Sequence, residues 1–359
     1  MNGWTKRLAL GAVLALAGNG TAAFAQAMTE RPPVVQEAAA ARVERHRIHS
    51  DAIAGNLLGT SAEREVIVVL PPSYDRDPDR LYPVVYALHG YSISAEQWQS
   101  EIHMPQTAEG AFANGVRDMI LVFPNSHNEH NGAFYSNSPT TGNFEDFVAD
   151  ELIAWTDANY RTLAQPASRG LVGHSMGGYG AARIGVRRAE RFGALYLMSP
   201  CCLSAMGSRG LSAQDVAKLE SLGSPAEGAD LGFLLRGTLA LASAWSPDPQ
   251  DPPLYIDLPV DEQGAERPDV LAKWAANAPL AFLDQYIGKM RGYRAIAMDV
   301  GNADTLLTDT TLMHEALATY GIANDLEVYE GNHTNRVAYR MQDHVLPFFG
   351  ANLAFEQER

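Results

Sequence analysis

The run Gly173-His174-Ser175-Met176-Gly177-Gly178 constrains this chain more than any other stretch. It follows the apolar Gly170-Leu171-Val172 and precedes a segment of helical character from Tyr179 to Ala189. A serine flanked by glycines two positions away, set between a strand and a helix, occupies a sharp turn that lifts its hydroxyl to the tip of a sheet. The glycines are required because side chains there would collide with the neighbouring strand and helix. In a chain with 31 glycines the pattern alone arises easily by chance. Its structural setting therefore decides its meaning.

That setting is an alternation of strands and helices. Apolar or β-branched runs occur at Glu65 to Leu70, Val84 to Leu88, Met119 to Phe123, Leu171 to Val172, Ala194 to Met198, Ala295 to Val300 and Leu326 to Tyr329. Near-continuous apolar runs suit strands buried on both faces of a parallel sheet. Helical spacing of apolar residues marks Phe144 to Tyr160, Thr311 to Tyr320 and Asn335 to Phe349. The expected class is α/β: a mostly parallel central sheet, helices on both faces and a long helical insertion. Ligands in such folds bind beyond the carboxyl ends of the strands.

The insertion follows from spacing. Roughly 95 residues separate the run ending at Met198 from the one starting at Ala295, far more than a loop. Leu231 to Trp245 and Val270 to Arg291 look helical, with a proline-rich break at Ser246 to Pro253. Residues 203–292 are thus expected to form a cap or insertion within a domain spanning 61–350. Residues 26–60 read as an N-terminal extension and 351–359 as a C-terminal tail. Residues 1–25 read as a secretory leader, with Lys6 and Arg7, an apolar stretch from Leu8 to Ala17, and Ala23-Phe24-Ala25 as a cleavage site. This predicts export to a bacterial periplasm or beyond, with no stable membrane span. The formal charge of −15 argues against nucleic acid or anionic membrane as partner. Cys201 and Cys202 are adjacent and expected as free thiols, since neighbouring cysteines close only a strained ring.

A serine hydroxyl needs a base within hydrogen-bond reach, and the base needs a carboxylate to fix its tautomer. On this fold the order along the chain is nucleophile, acid, histidine. Of the histidines well downstream of Ser175, His314 and His344 fall in helical segments. His333 lies in Glu330-Gly331-Asn332-His333-Thr334, after a strand and before the last helix, and is the expected base. The acid belongs in the loop after the preceding strand, where Asp304 is preferred to Asp299 because Asp299 lies at the strand end. The oxyanion hole would take one N–H from Met176 and one from Tyr91 after Leu88-His89-Gly90. His89 and His174 flank both turns and read as structural. Asn125 to Gly132 reads as a polar loop lining the substrate or facing solvent. His127, Glu129 and His130 within it lack the further ligands a metal needs, so neither metal nor cofactor is expected.

The chain resembles the esterase family of α/β-hydrolases that includes feruloyl and acetyl xylan esterases, S-formylglutathione hydrolase and the antigen 85 mycolyltransferases. The stretches that carry the resemblance are Leu70-Pro71-Pro72-Ser73-Tyr74, Tyr82-Pro83-Val84-Val85-Tyr86-Ala87-Leu88-His89-Gly90, Phe144-Glu145-Asp146-Phe147 with Tyr160-Arg161-Thr162, the Ser175 turn, Gly301 with Asp304 and Leu306, and Gly331-Asn332-His333. The resemblance implies a Ser175, Asp304 and His333 triad with Tyr91 and Met176 as oxyanion donors. It implies hydrolysis of a small-molecule or carbohydrate-linked ester through an acyl-enzyme. An acyltransferase with the same triad, and an inactive exported binding protein, are the alternative readings. The substrate-binding residues, the ester and the oligomeric state stay open.

Overall fold

The computed structural model describes residues 29–357. The expected leader at 1–25 lies outside the described residues. Eight strands form the main sheet: β1 Arg42–His49, β2 Glu63–Leu70, β3 Val84–Leu88, β4 Ile120–Pro124, β5 Arg169–His174, β6 Ala194–Met198, β7 Ala295–Gly301 and β8 Asp325–Tyr329. Their order across the sheet is β1-β2-β4-β3-β5-β6-β7-β8. From β4 through β8 all neighbours are parallel, while β2 runs antiparallel to both β1 and β4. This is the α/β-hydrolase arrangement.

The pleat sends alternate side chains to opposite layers. Val84, Tyr86 and Leu88 of β3 join one core, and Val85 and Ala87 join the other. The first core is completed by the helix Met176–Arg187, by Phe144 and Phe147, and by the insertion through Trp245, Trp274 and Phe282. The second is closed by Trp98, by Ala108 and Ala111, and by Met341 and Phe349. Each large apolar side chain so buried contributes about 1.5–3 kcal/mol. Because both faces are covered, β3 to β7 carry the apolar runs that mark them in the sequence.

Two expectations need correction. Residues 26–60 are not merely an extension, because β1 lies within them and pairs with β2 from Arg42↔Leu70 to His49↔Glu63. As an edge strand rich in charge, β1 lacks the apolar run used to find the others, and charged edges discourage pairing with a second molecule. The tail is also shorter than read: helix continues through Leu346–Asn352, and the Ala354 N–H donates to the Ala167 carbonyl at 2.9 Å.

The insertion contributes the helices Ala213–Glu220, Phe233–Trp245, Pro268–Ala276 and Pro279–Met290. The expected single segment Val270 to Arg291 is split at Asn277-Ala278, where Pro279 starts a new helix and cannot donate back to the previous one. The insertion is no loose flap. Trp245 lies 5.3 Å from Tyr179 of the helix Met176–Arg187 and 6.0 Å from Trp274, ring centre to ring centre. Among the described residues no helix is long and apolar enough to cross a membrane.

Candidate active site

The carboxyl ends of β3, β5, β7 and β8 bring the expected residues together. Ser175 caps the helix Met176–Arg187 with φ 58° and ψ −117°, a left-handed conformation costly for a residue with a Cβ. The surroundings impose it. A Cβ on Gly173 would stand 2.0 Å from the Gly177 carbonyl oxygen, and one on Gly177 would stand 1.9 Å from that of Leu88. The strained turn is held by the Ser175 N–H donating to Met198 at 3.1 Å, and by the Tyr179 and Cys201 N–H groups donating to the Ser175 carbonyl at 2.9 and 3.1 Å.

His333 lies in the loop between β8 and the last helix. Its Nε2 is 2.9 Å from Ser175 Oγ and its Nδ1 is 2.8 Å from Asp304 Oδ2. Asp304 is buried in the loop after β7, where its Oδ1 accepts from the Leu306 N–H at 3.0 Å. Burial pushes the Asp304 carboxyl up, but the bond to His333 and the Leu306 amide outweigh it and hold the group below the usual carboxylate range. An ionised Asp304 can only accept, so Nδ1 of His333 carries the proton and Nε2 is left to face the serine hydroxyl. Asp299, the other candidate acid, points elsewhere. Its Oδ2 takes Arg340 Nε at 2.7 Å and Tyr196 OH at 2.9 Å, a buried cluster that ties β7 to the last helix.

The two flanking histidines have definable work. His174 is buried and its Nε2–H donates to the His333 carbonyl at 2.8 Å, with the two rings 4.8 Å apart. Burial and the neighbouring His333 push its pKa down to about 3, so it remains neutral. His89 donates from Nδ1 to the Gly90 carbonyl and accepts from the Ser126 N–H, both at 2.8 Å. Burial lowers its pKa to about 4. It joins the loop after β3 to the loop after β4.

Among the described residues neither the Met176 nor the Tyr91 N–H has a protein acceptor. The loop carrying Tyr91 lies against the nucleophile, since a Cβ on Gly90 would be 3.5 Å from that of Ser175. The segment 125–132, expected to line the substrate or face solvent, instead supports this loop from behind. Its Asn131 carbonyl accepts from the Ser92 N–H at 3.0 Å, and Ser126, Asn128 and His130 are buried. His127, Glu129 and His130 form no metal cluster, and none is found among the described residues. His314 pairs with Asn324 and His344 with Glu327, both away from Ser175. Cys201 and Cys202 are free thiols.

The family model described as "Putative esterase" matches residues 59–355. The chain belongs to the Esterase family. Among curated relatives of this esterase-family chain, an esterase of Mycobacterium tuberculosis is 31% identical over 137 residues, covering 35% of this chain and 27% of its own length. The endo-1,4-beta-xylanase/feruloyl esterase of Xylanibacter ruminicola is 29% identical over 136 residues, covering 37% and 19%. The chain therefore spans about a quarter or less of these relatives. Among solved structures, a ferulic acid esterase superposes with TM-score 0.60 at 22% identity over 86% of this chain and 97% of its own. A fluorophosphonate-binding serine hydrolase of Staphylococcus aureus does so with TM-score 0.57 at 14% identity, over 86% and 98%. These two share the fold.

A cavity of about 410 Å³ opens onto Ser175 and His333. One wall is the loop and short helix after β3, with Tyr91, Ile93, Trp98 and Glu101. The insertion adds Phe233 and Arg236 to the lining, and Phe233 packs 5.7 Å from Tyr91. The insertion thus shapes the cavity directly. Apart from Tyr91, these wall residues carry no motif, so sequence reasoning missed them. A second cavity of about 370 Å³ lies within the insertion among Leu219, Asp251 and Asp257, and no triad residue lines it.

Proposed function

We propose that the chain is an exported serine esterase that hydrolyses a carboxylic ester through an acyl-enzyme. The observation that carries this reading is the unbroken hydrogen-bond chain from Ser175 Oγ through His333 to Asp304, at the mouth of a cavity in a chain of the Esterase family. Export is proposed from the charged start and apolar stretch of residues 1–25.

The chemistry follows from the protonation states. Ser175 Oγ attacks the ester carbonyl carbon while His333 Nε2 takes its proton. The C=O electrons move onto oxygen, stabilised by the Met176 and Tyr91 amides and the positive end of the helix Met176–Arg187. Collapse breaks the bond to the leaving oxygen, which takes the proton from His333. Ionised Asp304 stabilises the imidazolium in between. Water then attacks the acyl-serine with His333 again as base, releasing the acid and restoring Ser175. Neutral His174 holds the His333 backbone without adding a charge that would repel the imidazolium.

The test is labelling and turnover. The wild-type protein should react with a fluorophosphonate at Ser175 and release 4-nitrophenol from its acetate, and Ser175→Ala should do neither. Labelling at another residue, or turnover by Ser175→Ala, would sink the reading. Adding alcohols during turnover separates hydrolysis from acyl transfer by the products formed.

A further inference from the structure

Among the described residues, buried and half-buried carboxyl groups have partners, with one exception beside Ser175. Glu145 accepts from Arg183, Arg187 and Arg188, Asp157 from Arg169, Asp299 from Arg340, and Asp304 from His333. Glu101 has no hydrogen bond or ion pair among the described residues, and its Oε1 is buried without a partner. A desolvated, unpaired carboxyl costs stability that the fold does not recover. It is also the last residue of the helix Ala95–Glu101, at the negative end of the helix dipole, which further disfavours its anion. Burial pushes its pKa up to about 7.

The placement of Glu101 is what gives this cost a purpose. It lines the same cavity as Ser175 and His333. Trp98, one turn earlier on the same helix, also lines the cavity, and its indole Nε1–H is buried without an acceptor. The surrounding wall is mixed: Ile93, Ile102 and Val337 are apolar, while Ser92, Gln97, Arg236 and Thr334 are polar. A pocket that sets apolar side chains beside an unpaired carboxyl fits a ligand part with a hydrocarbon frame that bears a hydroxyl. A hydroxyl can donate to the carboxylate or accept from the protonated carboxyl.

We propose that Glu101 is a specificity-determining residue that hydrogen-bonds a hydroxyl on the ester bound beside Ser175. The inference rests on the esterase reading above. A site built to bond a hydroxyl rejects the analogue lacking it, because its own polar groups are then left unpaired.

The experiment uses two matched series. One is 4-nitrophenyl ω-hydroxyalkanoates against the alkanoates of equal length. The other is acetates of diols against acetates of the corresponding simple alcohols. The wild-type protein should favour the hydroxylated member of one series by about tenfold or more in kcat/KM. Glu101→Leu should bring the ratio to near one, mainly by raising KM for the hydroxylated ester and lowering it for the other. Glu101→Gln, which keeps a donor and an acceptor in the same volume, should retain most of the preference. Melting curves establish that each variant is folded. Wild-type turnover of 4-nitrophenyl acetate with no hydroxyl preference in either series overturns the role of Glu101 alone. A preference that survives Glu101→Leu overturns it as well. No turnover and no fluorophosphonate labelling would instead sink the esterase reading.

Discussion

Replacing Gly177 by alanine asks whether the Ser175 turn and the Tyr91 loop are one packed unit. The new Cβ would lie 1.9 Å from the Leu88 carbonyl oxygen, 2.5 Å from its carbon and 2.8 Å from the His89 oxygen. All three are backbone atoms, and real Cβ atoms essentially never approach closer than 3.0 Å. The helix start and the end of β3 must therefore separate by roughly 1 Å, and a close-packed interior passes such a shift on rather than absorbing it. Leu88 leads through His89 and Gly90 to Tyr91, the proposed second oxyanion donor. Productive geometry tolerates only about 0.5 Å, and losing one oxyanion donor lowers kcat by about 10²–10³-fold. The expected outcome is a kcat for 4-nitrophenyl acetate about 10²-fold below wild type. Overpacking should also cost about 1–3 kcal/mol of stability, read as a fall of several degrees in melting temperature. Gly288→Ala is the control. It lies in the helix Pro279–Met290 with nothing within 4 Å of its Cβ, so it should gain about 0.5–1 kcal/mol and keep wild-type kcat. A folded Gly177→Ala protein with wild-type kcat would refute the reasoning.

Three further outcomes follow from the same structure. Asp304→Asn leaves the His333 contact sterically intact but no longer selects its tautomer, so kcat should fall by about 10⁴-fold with little change in stability; a loss under tenfold counts against Asp304 as the acid. Glu145→Ala leaves the buried guanidinium of Arg183 without its carboxylate and should cost about 3–5 kcal/mol in urea unfolding. Acidification should also destabilise the fold through His89, His130 and His174, whose pKa values burial lowers to about 4, 4 and 3. Between about pH 6.5 and 4 the unfolded chain binds protons that the folded one refuses. Stability is then fully present above about 6.5 and is lost as pH falls, by up to about 1.4 kcal/mol per pH unit for each histidine. Equal unfolding free energies at pH 7 and pH 5 would contradict this.

How much of this was legible in the sequence depends on what each element buries. The central strands were readable because both faces are covered, so Val84–Leu88 and Ala194–Met198 appear as uninterrupted apolar runs. The strand Arg42–His49 was not, because its pairing is with backbone and its side chains include Arg42, Glu44, Arg45 and Arg47. Ser175, His333 and Asp304 could be placed together because each falls in a loop at a strand's carboxyl end, and the order of strands then fixes their convergence. Choosing Asp304 over Asp299 needed only their different distances from the strand. The work of His174 was hidden: its Nε2–H reaches the backbone of His333 from 159 residues away, and no local pattern records such a bond.

The walls of the cavity were hidden for the same reason, and there the consequence is larger. Phe233 and Arg236 come from the insertion, Trp98 and Glu101 from the short helix after β3, and Val337 from the far end of the chain. None of the wall residues has a spacing that chemistry demands, because a wall needs only the right size and polarity at one point in space. The triad must satisfy bond lengths of about 2.8 Å in series, so its residues are confined to particular loops and leave a trace in the sequence. The insertion packs on the helix Met176–Arg187 through Trp245 and Tyr179, so the Phe233 wall is carried by an element seated on the helix that follows Ser175. The pocket beside Ser175 is therefore composite, and its walls are set by residues whose neighbours only the fold supplies.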